Sequence, residues 1–392
     1  MVGGTVAPRF EPVREQFMVN FARRGELGAA CAAYVRGEKV VDLWGGFRDR
    51  ARTEPWEQDT MVMVYSTSKG VAATAIALAQ SRGLLDYDAT VASFWPEFAA
   101  ADKGQITVRQ LLAHQAGLAV IAEPLNARRL GDLDGMAATL ARQPTAWKPG
   151  TRHGYHALSL GWYEGEIIRR VDPTHRSLGQ FFAQEIAAPL GIEFYFGLPA
   201  DVPGERVAPI YGSSLLGTLR HVRTMPRGMI TAFARPRSLT ARVFGNPRVR
   251  GAADLDGPRY RAVENPAAGG IGQVRSVARL YDALARGGAD VGLTPQTMAE
   301  LVAPAVAPTK GSRDLVLTVE ASYALGFVRP TANFRFGSDD GRAFGHPGAG
   351  GSFAFADPAA EVAFAYAPNR LGHHLRDDPR EKALRDALYA CL

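Results

Sequence analysis

The 392 residues exceed what one small core holds, so one large domain or two intertwined ones are expected. A hydrophobic share of 46% and a charged share of 21% exclude intrinsic disorder, and the lack of any long apolar run excludes a membrane-spanning helix. The formal net charge of +6 would suit nucleic acid only if the basic residues shared a face or a recognition motif.

At the N-terminus, Met1 to Pro8 lack a charged segment followed by an apolar one, so no export signal and a cytoplasmic location are expected. From Arg9 to about Arg24, Phe10, Val13, Phe17, Val19 and Phe21 recur at loosely helical spacing. Gly28–Val35 and Glu38–Trp44 have the pattern of strands, joined by Arg36-Gly37 as a two-residue hairpin turn. Val64-Tyr65-Ser66-Thr67-Ser68-Lys69-Gly70 then runs into Val71–Ala79, Ala-rich and apolar on every side, as in a helix buried within a domain. Gly83 closes it.

Ser66 and Lys69 stand three apart and share a face of that helix's first turn, whose positive end favours a developing anion. A serine hydroxyl is a weak nucleophile until a base takes its proton, and a desolvated lysine can be that base because burial disfavours the ammonium. Lys69 is the only lysine in the chain with a serine three residues before it.

Helix signals dominate the next stretch. Thr107-Val108-Arg109-Gln110 is a capping box ahead of Leu111–His114, and Ala157–Arg170 and Ser177–Ala188 read as helices. Residues 199–268, rich in Pro, Gly and Arg, are expected to form an irregular excursion of the kind that makes a lid or pocket wall. Its arginines, Arg206, Arg220, Arg223, Arg227, Arg235, Arg237, Arg242, Arg248, Arg250, Arg259 and Arg261, are scattered rather than set on one helical face. They read as solvated loop charge, and no nucleic-acid partner is expected. Ser276–Arg286 is a clean helix closed by Gly287-Gly288.

Past about residue 310 the period changes to two. Leu315–Glu320, Tyr323–Val328, Arg342–His346, Ser352–Ala356 and Glu361–Ala367 read as strands, with Asp357-Pro358 as a turn. Asp378-Pro379 starts a terminal helix over Arg380–Ala390. Cys31 and Cys391 sit at opposite ends of the chain, and His373-His374 near Asp377 is too thin for zinc, so neither a disulfide framework, a metal nor a cofactor is expected.

Several segments together resemble the serine β-lactamase and penicillin-binding-protein superfamily, and within it the family VIII carboxylesterases. They are Asp42–Gly46, Ser66-Thr67-Ser68-Lys69, Leu111–Leu118, Lys148-Pro149-Gly150 leading to Tyr155, Gly269–Gly272 and Gly345–Gly351, in that family's order. The resemblance implies an α+β fold of the class C β-lactamase type. A mixed domain with a central antiparallel sheet flanked by helices would comprise residues 1–85 and 290–392. A mainly helical domain would be inserted over 86–289, with the active site between them.

Carried over, the resemblance makes Ser66 the acylated nucleophile, Lys69 its base partner and Tyr155 the second-motif tyrosine that shares protons with Lys69. The residues do not decide which of Lys69 and Tyr155 takes the serine proton, and their titrations would be coupled. The backbone N–H groups of Ser66 and Ala349 would form the oxyanion hole. His346 and Gly348 would line the substrate site as the third motif. Ala157 stands where class C β-lactamases carry an asparagine amide, and His346 stands where they carry a lysine. Both departures favour a neutral small-molecule ester over a β-lactam or peptidoglycan stem. Carboxylester hydrolysis, of short- to medium-chain acyl esters, is therefore the expected activity. A β-lactamase or D-Ala-D-Ala peptidase sharing the nucleophile is the near rival, and a binding protein that kept the fold without catalysis is the distant one. A lipase-like triad is excluded by the lack of a Gly-x-Ser-x-Gly elbow.

Overall fold

The computed structural model describes residues 2–212, 224–249 and 251–392. Arg220, Arg223 and Arg250 of the basic set lie outside the described residues.

The chain begins with strand β1 (Val2–Val6) and helix α1 (Glu11–Arg23), followed by β2 (Gly28–Val35) and β3 (Glu38–Gly46). Arg36 and Gly37 join the last two with φ of 52° and 82°, the left-handed pair that a two-residue hairpin turn requires. A short β4 (Val62–Met63) leads into α2 (Ser68–Ser81). Next come α3 (Val108–Leu112), α4 (Leu133–Arg142), α5 (Ser159–Val171), α6 (Leu178–Phe182) and β5 (Phe194–Phe196). Thr107 and Ser177 both close capping boxes, at the starts of α3 and α6. The excursion contributes α7 (Arg227–Phe233) and α8 (Leu239–Phe244), and the chain continues through β6 (Gly270–Gly272), α9 (Val274–Ala285) and α10 (Pro295–Val302). Five strands, β7 (Tyr323–Ala324), β8 (Phe327–Val328), β9 (Phe344–Pro347), β10 (Phe353–Asp357) and β11 (Val362–Pro368), precede the terminal α11 (Pro379–Ala390).

Eight strands form one antiparallel sheet in the order β1-β3-β2-β11-β10-β9-β8-β7, so both ends of the chain build it. Alternation decides what covers each face. Ala354, Ala356, Ala363, Ala365 and Ala367 share a core with α2 and α9, where small side chains let helices approach the sheet closely. Phe353, Phe355, Phe364 and Tyr366 point the other way and pack with α1 and α11 through Phe17, Leu384 and Leu388. A second sheet, β4-β6-β5, stands beside the start of α2. Among the described residues no helix is long and apolar enough to cross a membrane.

Two expectations are corrected. Leu315–Glu320 is not a strand but begins with a turn, Leu315–Leu317, of which Val316 and Leu317 are buried. Asp314 Oδ1 accepts the N–H groups of Val316 and Leu317, both at 2.7 Å, and the Asp314 carbonyl accepts that of Thr318, so these three consecutive donors are lost to a ladder. Tyr323–Val328 is two strands rather than one, because Leu325 (φ 50°) and Gly326 (φ 88°) fold it back on itself.

Helix α2 is the axis of the molecule, with every residue from Ser68 to Ala79 buried. Gly70 shows how tightly it is held: a Cβ there would stand 1.9 Å from Tyr281 Oη. Gly70→Ala gains up to ~1 kcal/mol of helix propensity but overpacks the core at a cost of ~1–3 kcal/mol. A net loss of stability is expected, measured as a lower denaturant midpoint at unchanged m. A midpoint at or above wild type would mean that Tyr281 can swing aside.

Candidate active site

Ser66 sits in the 3-10 turn Tyr65–Thr67 that feeds α2. Tyr65 has φ 46°, a left-handed conformation that costs a non-glycine residue ~1–2 kcal/mol, so the surroundings must hold it. They do so from several sides. The Tyr65 hydroxyl donates to the Ala252 carbonyl (3.1 Å), and Thr67 Oγ1 donates to Ser352 Oγ (3.1 Å), which donates in turn to the Val64 carbonyl (2.8 Å). Ser68 is occupied structurally: its Oγ accepts the Gly270 N–H (3.0 Å) and donates to the Tyr65 carbonyl.

Lys69 is fully buried at the bottom of this turn. Its Nζ lies 3.2 Å from Ser66 Oγ and donates to the carbonyls of Ala157 and Ala267, each at 2.8 Å. All three ammonium directions are therefore used. Burial drives the amine down to about 7, partly opposed by the carboxyl of Glu164. Nζ also stands 4.7 Å from the centre of the Tyr155 ring.

Tyr155 brings its hydroxyl toward Ser66, and burial holds its phenol well above the ordinary value. Asp314 lies beside the Tyr155 backbone and accepts from the Tyr323 hydroxyl (3.1 Å). Around Tyr155 stand His114 at 5.0 Å, Tyr323 at 6.1 Å and His346 at 5.9 Å between ring centres. Desolvation keeps His114, His156 and His346 far below the usual histidine range, so all three are neutral.

Their tautomers follow from their partners. The Leu118 N–H donates to His156 Nε2 (3.1 Å), which leaves Nδ1–H to face His114 Nδ1 (3.2 Å). His346 directs Nδ1 at the Pro347 carbonyl (2.7 Å) and so donates there, leaving a lone pair on Nε2 with no partner among the described residues.

The loop from His346 to Ser352 closes the site. A Cβ on Gly348 would come within 2.2 Å of Ser352 Oγ and 2.4 Å of the Val64 carbonyl, so only glycine fits. Ser66, Tyr155, His346, Gly348 and Ala349 line one cavity of about 300 Å³. Met225, Met229 and Phe244 from the excursion form its apolar wall. Arg376 lies at its edge, donating to the Glu320 carbonyl (3.1 Å) and covering the Phe334 ring. Ala157 meets the site through its carbonyl on Lys69 rather than as a face of the cavity.

Three site residues escaped sequence reasoning. Tyr323 lay in a run that reads as a strand, and Asp314 stands just ahead of another. Glu164 carried a signal, since Leu160, Glu164, Ile167 and Ile168 recur at helical spacing and put a carboxyl on an apolar stripe.

Comparison with known proteins agrees with this geometry. A family profile described as Beta-lactamase matches residues 13–389. "Esterase/beta-lactamase LipL" of Mycobacterium tuberculosis is 35% identical over 387 residues, covering 94% of this chain and 83% of that protein. Among solved structures, a family VIII carboxylesterase superposes with a TM-score of 0.86 at 38% identity, covering 100% of both chains. A penicillin-binding-protein homologue from Caulobacter crescentus gives the same TM-score of 0.86, at 38% identity and the same full coverage.

The buried amine has a measurable signature. Between its folded value of about 7 and the usual lysine value of about 10.4, the unfolded chain binds a proton that the folded chain does not. Stability therefore rises with pH across that window. From about pH 8 to 10 the unfolding free energy of wild type should climb relative to Lys69→Met by on the order of 1 kcal/mol per pH unit. Parallel denaturant midpoints for the two proteins would show that the amine stays charged in the fold.

Proposed function

The chain belongs to the β-lactamase family, and within it we propose a carboxylesterase that opens neutral esters through an acyl-serine at Ser66. The observation that carries this reading is Lys69 Nζ at 3.2 Å from Ser66 Oγ, in a pocket where burial keeps the amine close to neutral.

In the first step Ser66 Oγ bonds the ester carbonyl carbon. The carbonyl π electrons move to oxygen, and the serine proton passes to Lys69 Nζ directly or through the Tyr155 hydroxyl. The N–H groups of Ser66 and Ala349 receive the oxyanion, a contact worth ~3–4 kcal/mol of barrier per donor. Collapse re-forms the carbonyl and breaks the bond to the alcohol oxygen, which takes a proton from Tyr155 or Lys69. Water then repeats the sequence on the acyl-serine, giving its proton to the same pair and releasing the acid and free Ser66.

The choice of ester follows from charge. His346 offers a lone pair where a lysine would offer a cation, and His114 and His156 are neutral, so the third motif itself gives a substrate carboxylate no cation, while Arg376 at the cavity's edge is turned to the Glu320 carbonyl and the Phe334 ring. The apolar wall of Met225, Met229 and Phe244 supports a short to medium acyl chain in a cavity of about 300 Å³. A small ester rather than nucleic acid is the partner in this reading, supported by arginines already paired, such as Arg206 with Asp59 and Glu193. Two unpaired, buried cysteines support the cytoplasm. The division into a domain of residues 1–85 and 290–392 and an inserted domain of 86–289 is supported by the large sheet, which draws its strands from both ends of the chain.

Intact-mass spectrometry after a fluorophosphonate should give a single adduct that Ser66→Ala abolishes. An adduct surviving in Ser66→Ala would place the nucleophile elsewhere. Tyr155→Phe should lower kcat for a p-nitrophenyl ester by about 10²-fold or more. That ester should also be turned over far faster than nitrocefin, and a reversed preference would favour the β-lactamase reading.

Met229→Ala with Phe244→Ala should move the preferred acyl length upward with Ser66 labelling intact. An unchanged length profile would remove the excursion from the acyl site.

A further inference from the structure

One buried ionisable group has no part in the chemistry above. Glu164 lies on α5, wholly excluded from solvent, and among the described residues neither carboxyl oxygen meets a hydrogen-bond donor. A carboxyl so placed weakens the fold, since an apolar side chain of equal volume would sit there without desolvation loss.

Its surroundings single out Lys69. Helices α2, α4 and α6 pack on α5. The buried residues of α4 and α6, among them Met136, Leu140, Phe181 and Phe182, carry no titratable group. On α2, Lys69 is the charge that acts on Glu164, and Glu164 acts on Lys69 in return. A further wall is Gly326, where a Cβ would stand 3.4 Å from Glu164 Oε1 and 2.6 Å from Ala73 Cβ. Lys69 itself faces Ser66, Tyr155, His114, His156 and His346, and the histidines are neutral. Its three polar directions are taken by Ser66 Oγ and the carbonyls of Ala157 and Ala267, so the carboxyl acts through space across a dry interior.

We propose that Glu164 is a positioning residue for Lys69, the buried counter-charge against which the amine takes up the Ser66 proton and returns it. The inference rests on the acyl-serine reading above. In the working form Lys69 is free base and Glu164 ionised. When Ser66 Oγ bonds the carbonyl carbon, its proton passes to Lys69, and the ammonium forms opposite a carboxylate instead of in bare low dielectric. Glu164 exchanges no proton with the substrate. It makes Lys69 a stronger base, and it ties activity to pH values at which the pair has lost its shared proton.

The test is the pH dependence of fluorophosphonate labelling at Ser66 in wild type, Glu164→Gln and Glu164→Met. Without the carboxylate the Lys69 ammonium loses support, so the acid limb of the labelling rate should fall by about one pH unit in both variants. The alkaline plateau should drop about 3–10-fold, because the amine has become a weaker base. Thermal midpoints at or above wild type should accompany these changes. Glu164→Met keeps the test decisive if Glu164→Gln does not fold. An acid limb that stays in place in a folded, labelled variant overturns the role of Glu164 and leaves Ser66 chemistry standing. Wild type that is not labelled at Ser66 removes the premise, and the inference with it.

Discussion

Everything in this molecule depends on keeping the Lys69 side chain out of water. An amine in a low-dielectric site must be neutral or fully bonded, and here it is bonded on three sides while burial weakens its hold on a proton. The three partners come from distant parts of the chain: Ser66 one turn away, Ala157 beside Tyr155, and Ala267 ahead of β6. To dry the site, α2 has to be buried along its whole length, which needs the alanine face of the large sheet on one side and α5 and α6 on the other. The architecture is thus the enclosure that a neutral lysine demands.

The second constraint is the loop that supplies Ala349. It rests on the start of α11, where Arg380 donates to the Gly350 carbonyl (2.8 Å), to Asp378 Oδ1 (2.9 Å) and to Glu26 Oε1 (3.1 Å). Glu26 also receives the Tyr366 hydroxyl from the middle of the sheet. Removing one partner from a buried network of this kind costs ~3–5 kcal/mol, because it strands the other charges. The network joins the N-terminal segment, the sheet and the terminal helix at the base of the loop. Loop geometry is therefore set by the outermost parts of the chain, though the chemistry lies at its centre.

Local features were legible in the sequence. The Arg36-Gly37 hairpin, the capping boxes at Thr107 and Ser177, the all-apolar helix after Lys69 and the Asp378-Pro379 start of α11 each rest on interactions within a few residues, and all are present. Long-range features were not. The sheet β4-β6-β5 joins fragments of two and three residues, Val62–Met63, Gly270–Gly272 and Phe194–Phe196, that lie far apart in the chain and are too short for any period to register. Leu315–Glu320 has the alternation of a strand, yet Asp314 captures its first donors before a ladder can form. The position of Tyr155 was readable only through resemblance. What surrounds it, Asp314 beside its backbone and the rings of His114, Tyr323 and His346, needed the fold.

Burial and charge together explain why this site suits neutral esters. Lys69 and the three histidines packed around it, His114, His156 and His346, are pushed by desolvation toward their neutral forms, and Arg376, the cation at the cavity's edge, is turned to the Glu320 carbonyl and the Phe334 ring. A ligand carboxylate would have to give up its own hydration to enter and would find no cation at His346 to replace it. In the proposed reaction an ester carbonyl gives up little and would gain the backbone donors of Ser66 and Ala349 only as it becomes an oxyanion, so binding energy would be released at the transition state and not before it. The same dryness that suits Lys69 to the proposed role of base would therefore also select the substrate.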